Sequence, residues 1–390
     1  MAKSRFSKSL SPDARPETSG PGELAAEAPK TPVRTAPLAE AQRGAWYDGP
    51  DMVTWIREYN GIVEYHLPRD VQQIMIGASS KKCHIVLPGL SAMHCALERR
   101  ADRLRLIDQG STNGTYFQDR KITDVNIAPG DTFTLAPITF LAMNDEMHAH
   151  RPTIVDVIGT GFVPSPDKLL VDAARGSANL LLTGEPNCDQ DELARAIHAV
   201  SLRRSKKAIE VAEIPEERGL QRALIDSAAR STMMLSIAKG QRPLDPTFVS
   251  MVCSPHYYVR VIVLAPTIDD ARAALTRDAV DQMQHVWVRP LALRSDEIER
   301  LLDRMFVARQ ASVRAADLTV ENLAALRAYD WPDNLASLRL IADGIVAHAT
   351  YQGLRPAAKA LGIPKSTLQK RFDRVGMMFP LLVGDSHDEP

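Results

Sequence analysis

The apolar residues of this chain change rhythm near residue 145, and that change limits what each half can fold into. From about Asp51 to Asn144 they come in short runs broken by turn residues: Ile74-Met75-Ile76-Gly77, Ile85-Val86-Leu87-Pro88-Gly89, Leu104-Arg105-Leu106-Ile107 and Thr132-Phe133-Thr134-Leu135. Short strands at this spacing predict a β-sandwich. From about Ser165, apolar runs alternate with helical patterns: Leu180-Leu181-Leu182, a helix opening at Asp189, then Met233-Met234-Leu235 and Val259–Leu264. That alternation predicts an α/β domain. Beyond Pro290 the period is helical nearly to the end. The expected fold class is therefore multidomain: a β-sandwich, an α/β core with helices after it, and an all-α end. The boundaries expected are a sandwich over 46–148, a linker over 149–164, an α/β core over 165–289, helices over 290–345, a compact helical end over 346–379 and a tail over 380–390. Residues 1–45 are rich in Ala, Pro, Ser, Glu and Thr and have too little apolar surface to offset ordering entropy, so they are expected to be disordered.

Composition excludes several classes. No apolar run approaches the roughly 18 residues of a membrane span. Lys3, Arg5 and Lys8 stand among Ser and Pro with no apolar stretch after them, so a secretory signal is not expected and a cytoplasmic location is. Cys83, Cys95, Cys188 and Cys253 form no CxxC pair, which argues against a disulfide framework or a zinc site; no metal or cofactor is expected. The formal net charge is −1. Its distribution says more: residues 353–378 hold Arg355, Lys359, Lys365, Lys370, Arg371 and Arg374 against Asp373, a local +5 that leaves −6 for the rest. A basic end on an acidic body is the asymmetry of a nucleic-acid-binding tail.

Within the first half, Gly77, then Ser91-Ala92-Met93-His94, then Leu106-Ile107-Asp108-Gln109-Gly110-Ser111-Thr112-Asn113-Gly114-Thr115, then Gly130-Asp131 resembles the forkhead-associated (FHA) family over about residues 60–143. The resemblance implies a sandwich whose loops bind a protein or phosphothreonine peptide. A phosphate needs converging charge-assisted donors. Ser91, Ser111, Thr112 and Asn113 are the candidate loop residues, with Asn113 holding the peptide main chain and His94 supporting the loop. The family's phosphate-binding arginine is replaced by Ala78, and the arginine after the loop serine by Ala92. Lys81 and Lys82 are the candidates to supply charge instead.

The run Leu180–His198 resembles the opening of the AAA+ domain of sigma-54-dependent activators, and later segments agree with it. Val259-Arg260-Val261-Ile262 resembles the strand before the sensor, Pro290–Ile298 the start of the helical lid, and Tyr329-Asp330-Trp331-Pro332-Asp333-Asn334-Leu335 the lid motif. Yet the nucleotide chemistry is missing. A P-loop needs glycines so that N–H groups can wrap phosphates, and a lysine for the β/γ oxygens. Here Pro186 lacks an N–H, Asn187 and Asp189 stand where glycines belong, and Gln190 holds the lysine position. The magnesium-binding and catalytic carboxylates fall on Ser236 and Ile237, the sensor asparagine on Pro266 and the lid arginine on Ala336. The resemblance thus implies a scaffold without catalytic residues, since phosphoryl transfer rests on these positioned charges. The Gly-Ala-Phe-Thr-Gly-Ala loop that contacts sigma-54 is also absent, which argues against a sigma-54 remodeller.

Finally, Leu354–Phe372 has helix-turn-helix spacing: Ala358 allows close approach, Gly362 supplies the turn, and Ile363, Leu368 and Phe372 close a small core. It resembles the Fis-type domain of the same activators. Lys365, Ser366, Thr367 and Gln369 would open the recognition helix toward base edges, while Lys359, Lys370, Arg371 and Arg374 would contact phosphates. The sequence therefore predicts a regulator that binds duplex DNA, with a homodimer implied by the Fis-type resemblance. The alternative is a cytoplasmic FHA adaptor in Ser/Thr-kinase signalling with a vestigial DNA-binding end.

Overall fold

The computed structural model describes residues 52–384 apart from 101, 102 and 162. The tail expected over 1–45 lies outside the described residues. The sandwich is built from β1 (Trp55–Glu58), β2 (Glu64–His66), β3 (Gln73–Gly77), β4 (Ile85–Val86), β5 (Cys95–Arg100), β6 (Arg103–Asp108), β7 (Thr115–Phe117), β8 (Arg120–Ile122), β9 (Asp124–Ile127), β10 (Thr132–Leu135) and β11 (Ile138–Met143). One sheet has the order β2-β1-β11-β10-β7-β8 and the other β4-β3-β5-β6-β9. Alternate residues face inward: Ile74 and Ile76 of β3, Leu104 and Leu106 of β6, and Phe133 and Leu135 of β10 are all buried in one core.

The linker expected over 149–164 is instead mostly helix. Helix α1 (Asp145–Ile158) follows β11 directly, so the sandwich does not extend to 148 as expected. Asn144 caps α1 by accepting the Met147 N–H at 2.9 Å, Asp145 and Glu146 complement its dipole, and Met147, Ile154, Val155, Val157 and Ile158 are buried. Its polar middle, with Pro152 inside, conceals this buried stripe from a reading of apolar runs.

Helix α2 (Pro166–Arg175) leads into a parallel sheet of β12 (Leu180–Thr183), β13 (Ile209–Val211), β14 (Thr232–Ser236), β15 (Arg260–Ala265) and β16 (Gln284–Trp287), in the order β13-β14-β15-β12-β16. Leu180 and Leu182 face α1, α2 and α3 (Gln190–Val200). Leu181 faces the opposite layer, made by α4 (Arg218–Ser227), α5 (Pro246–Cys253), α6 (Ile268–Ala274) and α7 (Arg277–Asp281). Burial on both sides explains why β12 reads as an unbroken apolar run.

The remaining helices are α8 (Ile298–Ala308), α9 (Val320–Ala328), α10 (Asn334–Tyr351), α11 (Leu354–Ala360) and α12 (Lys365–Val375). The division expected at 345/346 falls inside α10, and one core joins Leu291, Ile298 and Trp331 to Leu368, Phe372 and Val375. The lid and the C-terminal helices are thus a single packed unit. Nor is the described part of 380–390 a free tail: Leu381 is buried, Leu382 bridges to Leu318, and the Asn322 amide donates to the carbonyls of Met378 (2.8 Å) and Pro380 (3.1 Å). No helix among the described residues is long and apolar enough to cross a membrane.

Helix α1 ties these parts together. At its start, Asp145 accepts from Thr54 Oγ1 (2.7 Å), Trp55 Nε1 (3.1 Å) and Arg69 (2.7 Å), and His148 stacks on Trp55 with ring centroids 3.7 Å apart. Asp167 of α2, fully buried, accepts from Arg151 of α1 and from the Asn60 N–H, each at 2.6 Å. At its end, the buried Arg294 donates to the carbonyls of Val157 (2.7 Å) and Asp156 (2.8 Å) and to Glu297 (3.1 Å). Arg300 donates to Asp156 and Glu297, both at 2.7 Å. Burial alone would raise the Glu297 carboxyl, but the Arg294 and Arg300 charges and hydrogen bonds hold it below the usual carboxylate range.

Removing Arg294 takes the donor from the Val157 and Asp156 carbonyls and one of the two close cations, Arg294 and Arg300, from the buried Glu297. Arg294→Ala is expected to cost about 3–5 kcal/mol in urea unfolding. Arg304→Ala, which removes an exposed partner of Asp156, should cost about 1 kcal/mol or less. Equal losses would show that Arg294 is not the anchor of the α1 end.

Candidate functional site

Three surfaces carry the residues singled out by the sequence. The first is the loop face of the sandwich. Gly77 ends β3 so close to the next loop that a Cβ there would sit 2.6 Å from the Ala92 carbonyl oxygen. This approach lets the Ala78 and Ser79 N–H groups donate to the carbonyls of Ser91 (2.9 Å) and Ala92 (3.1 Å). Ser91 Oγ in turn accepts the Thr112 N–H at 3.0 Å and donates to Thr112 Oγ1 at 3.3 Å. Three loops are thereby laced side by side.

The 108–115 loop is organised from beneath by Asp108. Its carboxylate accepts the Gly110 and Ser111 N–H groups (2.9 and 3.0 Å), Ser111 Oγ (2.5 Å) and Thr115 Oγ1 (2.8 Å). Burial would raise its pKa, and these donors outweigh burial and keep it ionised. Ser111, expected as a ligand contact, is therefore buried and engaged by Asp108. His94 lies under the loop, its Nε2 3.2 Å from the Gly114 carbonyl oxygen. Thr112, Asn113, Lys81 and Lys82 are exposed. Among the described residues neither lysine has an ion-pair partner. No cation stands at Ala78. One arrives from an unexpected direction: the Lys121 side chain of β8 lies over Gly114, next to Asn113. The only sequence signal for it is the β7–β8 pairing of Tyr116 with Lys121, which requires the register to be known.

The second surface is the loop before α3. A cavity of about 690 Å³ is lined by Gly184, Pro186, Asn187, Asp189, Ser236 and Arg339, among others. Asn187 and Asp189 both adopt positive φ. The Gln190 amide turns toward the Ala265 carbonyl (3.3 Å), and burial pushes the Cys188 thiol up to about 12. Arg339 of α10, one turn beyond Ala336, pairs through both guanidinium nitrogens with the Asp189 carboxylate. That hydrogen-bonded pairing raises its pKa. Asn334 donates to the Pro186 carbonyl (3.0 Å) and to Glu185 (3.3 Å) and accepts the Leu291 N–H (2.8 Å). These contacts join α10 to the loop before α3.

The third surface is the pair α11 and α12, joined by a short turn in which Gly362 has φ +67. Leu368 and Phe372 pack against Gly344 of α10, where a Cβ would come within 2.9 Å of either ring or methyl carbon. The opposite face of α12 exposes Ser366, Lys370, Asp373 and Arg374, flanked by the half-buried Lys365, Thr367, Gln369 and Arg371. The Gln369 amide donates to Asp373 at 2.7 Å. Arg355, Lys359, Lys365, Lys370, Arg371 and Arg374 have no ion-pair or hydrogen-bond partner for their side chains among the described residues. Arginines elsewhere are mostly paired, as Arg151, Arg175, Arg195, Arg300 and Arg339 are.

With this geometry in place, residues 74–136 match the family model described as FHA domain. The chain contains an FHA domain. Similar solved structures include the FHA domain of the CT664 protein from Chlamydia trachomatis, at 24% identity over 23% of this chain and 92% of that one, with a TM-score of 0.21. EmbR from Mycobacterium tuberculosis in complex with a low-affinity phosphopeptide is 21% identical over 24% of each chain, with a TM-score of 0.22. NtrX from Brucella abortus in complex with ADP is 17% identical over 60% of this chain and 73% of that one, with a TM-score of 0.39. No curated protein matches the chain.

The fastening of the lid generates a graded expectation. Asn334 is buried and satisfies three groups, so Asn334→Ala should cost about 1–3 kcal/mol in urea unfolding. Arg339→Ala, which takes a half-exposed guanidinium from the mostly buried Asp189 carboxylate, should cost about 1 kcal/mol. A larger loss at Arg339 than at Asn334 would reverse the assignment of the main fastener.

Proposed function

We propose that this chain is a DNA-binding transcriptional regulator. Its FHA loop face receives a protein partner phosphorylated on threonine, its α/β domain is a scaffold that does not hydrolyse ATP, and its helices α11 and α12 hold duplex DNA. The observation that carries the DNA reading is the set of six unpartnered cations on α11 and α12. A folded protein that pairs most of its arginines elsewhere and gathers six unpartnered cations on two adjacent helices presents them to an external polyanion. The scaffold reading is supported by the loop before α3, where Asp189 stands at a position the resemblance gives to a P-loop glycine and pairs with Arg339 at the edge of the cavity. With Ala78 in place of a guanidinium, the affinity of the FHA loops for phosphate alone is expected to be weak. The missing sigma-54 contact loop supports a regulator that does not remodel sigma-54.

The DNA reading is tested by measuring duplex affinity of the full chain against salt. A log–log plot should be linear and negative, and Lys370→Ala should weaken binding to all sequences and flatten the slope by about one unit. A chain that retains no DNA at low salt, with its C-terminal helices folded, leaves the adaptor role in place of the regulator. The scaffold reading is tested by calorimetric titration with magnesium and ATP. No binding is expected, and micromolar magnesium-dependent binding would overturn it.

A further inference from the structure

Gly114 has φ +83, and a Cβ built there would lie 2.5 Å from Lys121 Cε and 3.0 Å from Lys121 Nζ. The missing side chain leaves room for the lysine stem to lie over Gly114, the residue after Asn113. Long cationic side chains commonly lay their aliphatic stems over surface in this way while the head stays in water. Among the described residues the Lys121 ammonium has no ion-pair or hydrogen-bond partner. Lys81 and Lys82 lie on the other side of the same strip, in the turn held to the 91–92 segment by the Ser79-to-Ala92 hydrogen bond. From one end to the other the strip therefore runs Lys81 and Lys82, Ser91, Thr112, Asn113, Lys121.

We propose that Lys121 forms a second anion contact on the FHA loop face, separate from the phosphate contact, so that the partner is a phosphothreonine segment flanked by acidic residues. This rests on the phosphopeptide reading above. A phosphate seated by Ser91 and Thr112 places the peptide main chain at Asn113, and the side chains beyond it then meet a positive charge. With no guanidinium at Ala78, the phosphate supplies less of the affinity and flanking charge supplies more. A partly ordered lysine loses less freedom on binding than a free one, which favours its use as a contact.

The test uses the full chain and three synthetic phosphothreonine peptides whose flanks on both sides are alanine, glutamate or lysine. The native chain should bind the glutamate-flanked peptide about three- to fivefold more tightly than the alanine-flanked one, as expected of an exposed charge pair. In Lys121→Gln that advantage should fall at least by half, whatever smaller loss the alanine-flanked peptide shows. Lys121→Glu should shift the preference toward lysine flanks, a reversal that loss of folding cannot produce. If the native chain binds the alanine-flanked phosphopeptide but gains nothing from glutamate, or if Lys121→Gln keeps the full advantage, this inference fails and the phosphopeptide reading stands. If no phosphorylated peptide binds the native chain, the phosphopeptide reading fails and takes this inference with it.

Discussion

The architecture depends on what happens at the two ends of α1. Its first turn is held to the sandwich by Asp145 and the Trp55–His148 stack, and its last turn by the guanidinium groups of Arg294 and Arg300. A helix C-terminus presents unsatisfied carbonyls and partial negative charge, so a buried cation there meets both needs at once. Because the same arginines bind Glu297, the segment that opens the lid is fixed to a helix that begins at the last strand of the sandwich. A chain that reads as separate modules is joined by one element of 14 residues.

The contact between α/β core and lid follows the same logic with different chemistry. A negative charge on the loop before α3, Asp189, is answered by a cation from α10, Arg339. Asn334 adds neutral hydrogen bonds to the same loop. These contacts join α10 to the loop before α3, and Asp189, Ser236 and Arg339 line the cavity beside them.

Much of this was legible in the sequence because it depends on local pattern. The strands at Ile74–Gly77, Leu104–Ile107, Thr132–Leu135 and Leu180–Leu182 follow from period and turn residues, and the short Lys365–Val375 helix follows from Gly362 and the Leu368/Phe372 spacing. Helix α1 was hidden because its apolar stripe is interrupted by charged residues and Pro152. Ser111 reads as a contact from its place in the loop, although Asp108, three residues before it, turns it inward. Arg339 and Lys121 act across tertiary contacts, 150 residues from Asp189 in one case and over a hairpin in the other. The merging of lid and C-terminal helices depends on Gly344 meeting Phe372, a match of shape that no single-segment pattern contains.

The backbone of residues 378–382, gripped by Asn322 and Leu318, bears on how the molecule is made. The sandwich core is complete once β11 has been synthesised, so it can fold while the rest is still being translated. The lid core includes Leu381, more than two hundred residues later, and cannot close until that side chain is delivered. Throughout that interval the ribosome carries a finished recognition domain and an unfinished base for α12. A chain interrupted before Leu381 would keep the sandwich while failing to close the core on which α12 sits.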